Sequence, residues 1–305
     1  MRNLRTAFAA LAFAAFAFLS GAALAQSGTG GTQTPEEVFK SLKLYRGHID
    51  LRGNIAALDL PAGFAYLDPA DTEMFLTKIY SNPPSANGPN TDGMVIPDGV
   101  DPLSANGWAA VLTYDDSGHV SDSDAASINF DDLLKTMQKQ ASDQNEERVK
   151  AGYPSIDLRG WAEQPHYDAD AKTLYWAERF RFGSDAQETL NYKIRILGRQ
   201  GVLEINVVDS IDHLDDVRKR GPALLKMASF KSGSTYGDFS SATDRVAEYG
   251  LAGLIAGGVL LKAGFFKALL VGLAALWKPI AAGVVILLGG IARFFRRGAR
   301  IKPDA

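Results

Sequence analysis

The sequence predicts an α+β domain with an antiparallel sheet, lying between a secretion signal and an apolar C-terminal stretch. Four strand-like runs follow one another at hairpin spacing, at residues 156–163, 174–182, 189–197 and 202–208. Predicted helices precede and follow blocks of strands instead of separating each pair, which favours the α+β class. About 220 residues remain between the two apolar ends, enough for one large domain or two small ones.

Helix-start chemistry organises the first half of the chain. Thr34-Pro35-Glu36-Glu37 and Asp68-Pro69 each place a capping side chain before a proline at the first helical position. In chain order we expect a helix over 35–43, one or two strands over 48–60 and a strand over 64–67. A helix over 69–79 follows, with Met74, Phe75 and Ile79 inward. Next come a loop over 81–106, which holds a short strand at 94–96, and a strand over 108–114.

An acidic run over residues 115–124 separates these elements from the second half. Apolar residues then recur at helical spacing, which predicts a helix over 128–141 that continues to about residue 150. Gly198 to Gly201 connects the last two strands as a hairpin. A helix over about 212–228 closes the domain, with core candidates Leu214, Val217, Leu224, Leu225 and Met227.

The N-terminus carries the three parts of a secretory signal peptide: two arginines, an apolar run from Ala7 to Leu19, and the small residues of Ala23-Leu24-Ala25. Cleavage there removes residues 1–25 and leaves 26–34 as a flexible lead. We therefore expect residues 35–244 to form an extracytoplasmic domain, periplasmic if the cell is Gram-negative.

The C-terminus is expected to meet the lipid bilayer through an apolar membrane region, residues 245–294. The basic tail, residues 295–305, is expected to stay in the cytoplasm, following the positive-inside rule. Three lysines interrupt the apolar region, so a single span over 269–292, a hairpin of 249–266 and 279–294, and a buried helical pair that does not cross all remain open. Gly253 and Gly257 form a GxxxG pattern and are candidates for close helix packing.

Charge and cysteine content exclude several function classes. Outside residues 26–244 the chain holds 11 Lys and Arg and two acids, which leaves 21 basic and 33 acidic residues inside, a net charge of −12. A domain this acidic repels phosphate backbones, so nucleic acid is not expected as a partner. The absence of cysteine excludes Cys nucleophiles, Cys-ligated zinc and iron–sulfur clusters.

Aromatic and ionisable residues are densest between residues 160 and 178. The candidate binding surface consists of Trp161, Glu163, His166, Tyr167, Tyr175 and Trp176. In one interpretation Glu163 orients His166 for acid–base chemistry in an aromatic-lined cleft. In the other, the aromatics pair across strands as core and residues 165–168 form a hairpin turn. The second is favoured, because the sequence places no nucleophile or third partner, and no catalytic residue is assigned.

No metal or cofactor site is predicted. Six aspartates crowd one region, and oxygen-rich loops bind calcium outside cells, but their spacing departs from the EF-hand pattern; they are Asp115, Asp116, Asp122, Asp124, Asp131 and Asp132. The four histidines are scattered, without the spacing of a metallohydrolase, and neither a Walker A nor a G-x-S-x-G motif is present.

Several sequence blocks together resemble the DUF2167 family of bacterial membrane-anchored proteins, over about Leu51 to Phe295; they are Gly160–Asp168, Leu174–Ala177, Leu190–Leu203 and Tyr249–Gly258. The resemblance implies an envelope protein with a C-terminal membrane region and brings no activity, cofactor or catalytic residue. The order of strands and helices is also similar to the PsbP and Mog1 type of α+β domain, which mostly serves as an accessory or binding module.

These observations favour a non-enzymatic envelope protein, anchored in a bacterial cell membrane, whose domain binds or assembles something there, such as another membrane or envelope protein. The alternative is an envelope hydrolase or transferase that uses Glu163 and His166 in a cleft beside the aromatic strands.

Overall fold

The computed structural model describes residues 34–80, 82, 84–85, 90–101, 104, 107–150 and 152–257. The predicted signal peptide, most of the predicted membrane region and the basic tail lie outside the described residues. The chain divides into two units, Met1–Ala256 and Gly257–Ala305, and every element below belongs to the first. Among the described residues, no helix is long and apolar enough to cross a membrane.

The domain is an α+β fold with antiparallel sheets, as the sequence predicts. In the described part of the chain a seven-stranded sheet has the order β3-β4-β5-β10-β9-β8-β7, a smaller sheet the order β1-β2-β11, and β12 pairs with β6 in parallel. The strands are β1 His48–Leu51, β2 Ala56–Asp59, β3 Phe64–Leu67, β4 Gly93–Pro97, β5 Ala109–Asp115, β6 His119–Ser121, β7 Ile156–Asp168, β8 Thr173–Phe182, β9 Thr189–Leu197, β10 Val202–Ser210, β11 Ala228–Phe230 and β12 Val246–Gly250.

The first two helices begin where the sequence supplies a capping side chain. The Thr34 side chain accepts from the Glu37 amide in a capping box, and Asp68 accepts from two amides of the next helix. The helices are α1 Pro35–Ser41, α2 Pro69–Met74, α3 Phe130–Lys150, α4 Leu214–Met227 and α5 Leu251–Ile255, with shorter turns at Arg52–Asn54, Phe75–Ile79, Ala125–Ser127, Ile211–His213 and Tyr236–Asp238.

The larger apolar core lies between one face of the seven-stranded sheet and the layer made by the small sheet and α4. It joins Ile194 and Ile205 of the large sheet to Leu58 of the small sheet and to Val217 and Leu224 of α4. A second core joins β3, β4 and β5 to α1 and the turn at Phe75–Ile79. Alternation along each strand therefore sorts side chains between two distinct layers.

Strand β7 is an edge of the large sheet, and α3 covers part of it. The Asn145 amide accepts from the Ile156 nitrogen at 2.7 Å and donates to the Ile156 oxygen at 2.9 Å. Gln138 donates to the Leu158 oxygen at 3.0 Å. These side chains occupy backbone groups that would otherwise offer pairing sites to another chain.

Two local predictions are wrong. Met74 is 40% exposed, because α2 ends there and a wider π-type turn carries Phe75 and Ile79 into the core instead. Residues 165–168 are not a hairpin turn but the end of β7, where His166 pairs with Tyr175. Three register shifts make β7 three residues longer than the part of β8 it faces, so the turn comes later, at residues 169–172.

The polar run after β5 also holds a strand that the sequence does not indicate. Strand β6 pairs with β12, and the His119 amide donates to the Arg245 oxygen at 2.8 Å. Both β12 and α5 fall in residues that the sequence assigns to the start of the membrane region, and both belong to the Met1–Ala256 unit.

Candidate functional site

The six residues of the predicted binding surface lie on both faces of the β7–β8 pair. Tyr175 packs against the larger core on the α4 side, and its cross-strand partner is His166. Trp176, the next residue of the strand, points to the opposite face, as successive strand residues must. By the same alternation Glu163, His166 and Tyr175 share one face, whereas Trp161, Tyr167 and Trp176 share the other.

Trp176 is a core residue with a polar surround. Its side chain is fully buried, and its indole nitrogen donates to Glu178 Oε1 at 2.7 Å. The Lys193 ammonium lies 2.8 Å from Glu178 Oε2 and 5.7 Å from the Trp176 ring centroid, and Arg195 lies 5.2 Å from the same ring. Trp176 is therefore a core residue, as the interpretation with aromatics paired across strands expects, and a partner cannot reach it.

Trp161 and Tyr167 are also used internally. The Trp161 indole donates to the Phe130 oxygen at 3.3 Å and so holds the start of α3 against β7. The Tyr167 hydroxyl donates to Asp122 Oδ2 at 2.7 Å. Two of the six predicted residues thus fix neighbouring elements of the domain.

The remaining three residues and Arg218 of α4 form what we call the β7–β8 surface: Glu163, His166, Tyr175 and Arg218. The His166 and Tyr175 rings lie 5.1 Å apart, and Tyr175 stacks on the buried Tyr192 at 6.3 Å. Arg218 Nε donates to Glu163 Oε2 at 2.9 Å. This aromatic row beside an ion pair remains partly open to solvent, with His166 exposed.

The acid–base arrangement of the alternative interpretation is not formed on this surface. Among the described residues, no hydrogen bond joins Glu163 to His166, because the carboxylate is paired with Arg218. That pairing raises the pKa of the Arg218 guanidinium, while burial, with a contribution from the Glu163 charge, raises the pKa of Tyr175. The surface offers stacking faces and hydrogen-bonding groups, which suit binding better than proton transfer.

The acidic run binds the C-terminal end of the domain, which we call the C-terminal latch, residues 235–256. Asp122 accepts hydrogen bonds from the Tyr167 hydroxyl, from Lys172 Nζ at 2.9 Å and from the Tyr236 hydroxyl at 3.1 Å. Burial opposes its charge, but these three donors lower the pKa of Asp122 to about 2. Because Tyr236 belongs to the latch, this carboxylate joins the latch to the β7–β8 hairpin.

Asp124 holds the start of α5. Its two carboxylate oxygens accept from the Leu251 amide at 2.9 Å and from the Ala252 amide at 3.1 Å. A Cβ at Gly250 would lie 2.7 Å from Asp124 Oδ1, so only glycine leaves room for this approach. The carboxylate therefore fixes the chain where the apolar stretch begins.

Two further contacts secure the latch. Asp115 accepts from the Tyr249 hydroxyl at 2.5 Å. Arg199 makes a two-pronged pair with Asp244, at 2.7 and 3.0 Å, and this pairing lowers the pKa of Asp244. Within the described residues no group of three or more His, Asp or Glu side chains could hold a metal ion. Asp115, Asp122 and Asp124 thus bind groups of the domain itself.

An Asp–His pair that sequence reasoning did not single out joins β10 to α4. Asp209, 2% exposed, lies 2.6 Å from His213 Nδ1 and accepts from Arg220 at 2.9 Å. Arg220 in turn lies 5.1 Å from the Trp108 ring centroid. The spacing of four residues between Asp209 and His213 is the signal that could have indicated it. The buried carboxylate ties the start of α4 to the sheet.

Gly253 and Gly257 do not lie on one continuous helix. Gly253 is buried within α5, and a Cβ there would lie 2.6 Å from Tyr249 Cβ. Gly257 follows the end of α5 and has a φ of +74°. The close approach that Gly253 permits is therefore to Tyr249, a residue of the same domain.

The family model for DUF2167, described as a protein of unknown function, matches residues 43–289, and the chain belongs to this family. Similar solved structures include cyanobacterial PsbP (CyanoP) from Synechocystis sp. PCC 6803, with 10% identity, 68% of this chain and 99% of that chain covered, and a TM-score of 0.34. The Saccharomyces cerevisiae Ran-binding protein Mog1p has 10% identity, coverage of 60% and 84%, and a TM-score of 0.29. No curated protein matches the chain. The likeness to these two structures supports no functional conclusion.

Proposed function

We propose that this chain is a membrane-anchored envelope protein without enzymatic activity, whose domain lies outside the cytoplasm and binds or assembles another envelope protein. In this proposal the lipid bilayer holds the apolar region after residue 256, and the basic tail stays in the cytoplasm. The signal-like N-terminus, the acidic domain and the basic C-terminus support this orientation.

The main observation that supports the proposal is that hydrogen bonds hold the C-terminal latch to the rest of the domain. Asp124 caps α5 at Leu251 and Ala252, and the apolar sequence continues directly from that point. A domain on a flexible tether would need no such contacts, since Gly- and Ser-rich linkers remain unpaired. A fastened exit instead suits a domain that must be presented at a set distance from its anchor.

The β7–β8 surface supports the binding part of the proposal. Tyr and Arg are enriched at protein interfaces, where a rigid ring or guanidinium buries a large area at a small entropic cost. His166, Tyr175 and Arg218 supply these groups on one partly open face. The net charge of −12 over residues 26–244 counts against a nucleic acid and for a protein partner.

Topology is tested with single cysteines, since the natural chain has none. We expect Ser232→Cys, at an exposed position of the domain, to react with a membrane-impermeant thiol reagent in intact cells. Ala305→Cys should react only after permeabilisation. Labelling of neither residue in intact cells would place the domain in the cytoplasm, and labelling of both would refute the single span in favour of the hairpin or the pair that does not cross.

Partner binding is tested by photocrosslinking in membranes of the native host. A photoreactive residue at His166 should give a discrete crosslinked band, and one at the exposed Lys139 of α3 should not. Arg218→Ala should remove the band from His166 without unfolding the domain. Equal crosslinking from both positions would refute a specific role for the β7–β8 surface.

A further inference from the structure

We propose that His119 makes the C-terminal latch sensitive to protons, so that uptake of a proton by its imidazole in mildly acidic medium loosens the latch. This goes beyond the proposed function, because it concerns only residues of the Met1–Ala256 unit. It holds whether or not the following apolar region crosses a membrane.

The geometry places His119 at the contact between the domain and the latch. The residue lies on β6 and is 8% exposed. Its ring stacks on Phe239 at 3.9 Å with an interplanar angle of 17°, and on Tyr236 at 4.3 Å with an angle of 34°. Both rings belong to the latch, so the imidazole packs directly against the segment whose closure its protonation would weaken.

A charged imidazole is poorly accommodated in this position. His119 Nδ1 is buried and has no hydrogen-bond partner, so a proton added there would be an unpaired buried donor. Attraction between an imidazolium and the two aromatic rings offsets part of this cost. The backbone of Gly198 and Arg199 beside the ring also favours the charged form.

The charges that face His119 are largely paired with one another. Asp122 and Asp244 would attract an imidazolium. Asp122, however, is already paired with Lys172, and Asp244 with Arg199. Arg245, whose backbone pairs with His119, adds a further positive charge on the latch. Desolvation by burial outweighs the favourable contributions and lowers the pKa of His119 below its ordinary value of 6.5.

The direction of the pH effect follows from linkage. With the latch closed, the pKa of His119 lies below 6.5, and with the latch open the exposed imidazole returns to about 6.5. Latch closure is therefore fully favoured above that value and weakens as the pH falls toward the lower pKa of the closed state. The Asp122 and Asp244 carboxylates stay ionised in this window, because the pKa of each is lowered.

Hydrogen exchange measured by mass spectrometry on the full chain in detergent micelles tests the proposal. After correction for intrinsic exchange, the amides of Leu251 and Ala252 should exchange severalfold faster at about pH 5 than at about pH 7.5. Amides of β9 and β10 should be protected equally at both values. Latch protection that does not change with pH in the natural chain would overturn the proposal.

His119→Phe keeps a stacked ring that cannot titrate, and should abolish the difference between the two pH values. The matched control is His48→Gln, at an exposed histidine whose two aspartate partners raise its pKa; it should leave the difference intact. If His119→Phe does not fold, an NMR titration of the His119 ring in the natural chain decides the question. A pKa below 6.5 supports the proposal, and one at or above 6.5 refutes it.

Discussion

The β7–β8 surface and the contact of the C-terminal latch with the rest of the domain are built from the same kinds of side chain, carboxylates, tyrosines and a histidine, but use them in opposite ways. At the contact with the latch, Asp122 alone accepts from two tyrosine hydroxyls and a lysine, and His119 packs against the rings of Tyr236 and Phe239. On the β7–β8 surface the row of rings ends at the exposed His166.

This difference shows that residue type does not identify a functional site, whereas the partner of each polar group does. Asp115 and Asp124 are of a type suited to calcium as single residues, yet their oxygens accept from a hydroxyl and two amides of the latch. The β7–β8 surface retains groups that face solvent, and these are the ones a partner can reach.

The largest effect is expected at Trp176, which the sequence grouped with the binding surface and the structure places in the interior. Trp176→Ala should lower the free energy of unfolding by about 3–5 kcal/mol. The substitution opens a cavity and removes the indole donor of the buried Glu178 carboxylate. Urea titration followed by circular dichroism measures the change. A loss of partner crosslinking with unchanged stability would contradict the core assignment and indicate that Trp176 contacts the partner.

Removing the Asp122 carboxylate should disrupt the latch next most strongly. Asp122→Ala leaves Tyr167, Tyr236 and Lys172 without their shared acceptor, and we expect a loss of about 2–3 kcal/mol in unfolding free energy. Asp116→Ala removes an exposed carboxylate of the same run and should change stability by less than about 0.5 kcal/mol. Equal effects would mean that net charge, not the latch contacts, controls stability.

Acid should weaken the latch through the same residue. The pKa of Asp122 is lowered to about 2, so its contribution is complete above about pH 4 and is lost as the pH falls through 2. Allowing for solvent screening, we expect this to amount to ~1–2 kcal/mol. Unfolding free energies measured between about pH 5 and pH 2 should fall less steeply in Asp122→Ala than in the natural chain.

At Asp124 the expected loss is smaller, because it caps a helix of only five residues. Asp124→Ala should cost about 1 kcal/mol and speed exchange of the Leu251 and Ala252 amides. Asp124→Asn keeps one acceptor oxygen but replaces the other, which accepts the second amide, with an NH2 donor, so it should retain only part of the protection. Identical exchange in both variants would show that hydrogen bonds to Asp124 do not protect these two amides.

The smallest effect on stability is expected at the β7–β8 surface. Glu163→Gln breaks the ion pair with Arg218, whose side chain is 45% exposed, and exposed pairs contribute about 0.2–1 kcal/mol at most. The melting temperature of Glu163→Gln should therefore change by less than that of the variants at Asp122 and Asp124. A loss comparable to that of Asp122→Ala would show that this surface is as structural as the latch.

Sequence patterns located most elements because their signals are local. Alternation along β8, β9 and β10 and the caps at Thr34 and Asp68 depend on neighbouring residues alone. The end of β7 was misplaced because its three bulges have no local signature. Strand β6 was missed because a three-residue polar strand exists only through pairing with β12, more than a hundred residues later.

Local patterns and composition suffice to predict the α+β class, the antiparallel order of the second half, the acidic charge of the domain and the absence of cysteine chemistry. The face on which each candidate residue lies, and which carboxylates hold the latch, were decided only by the tertiary structure. Register sets the face of every strand residue, and each bulge inverts the alternation beyond it. Contacts such as Asp122 with Tyr236 join residues 114 positions apart, a distance at which composition and spacing carry no signal.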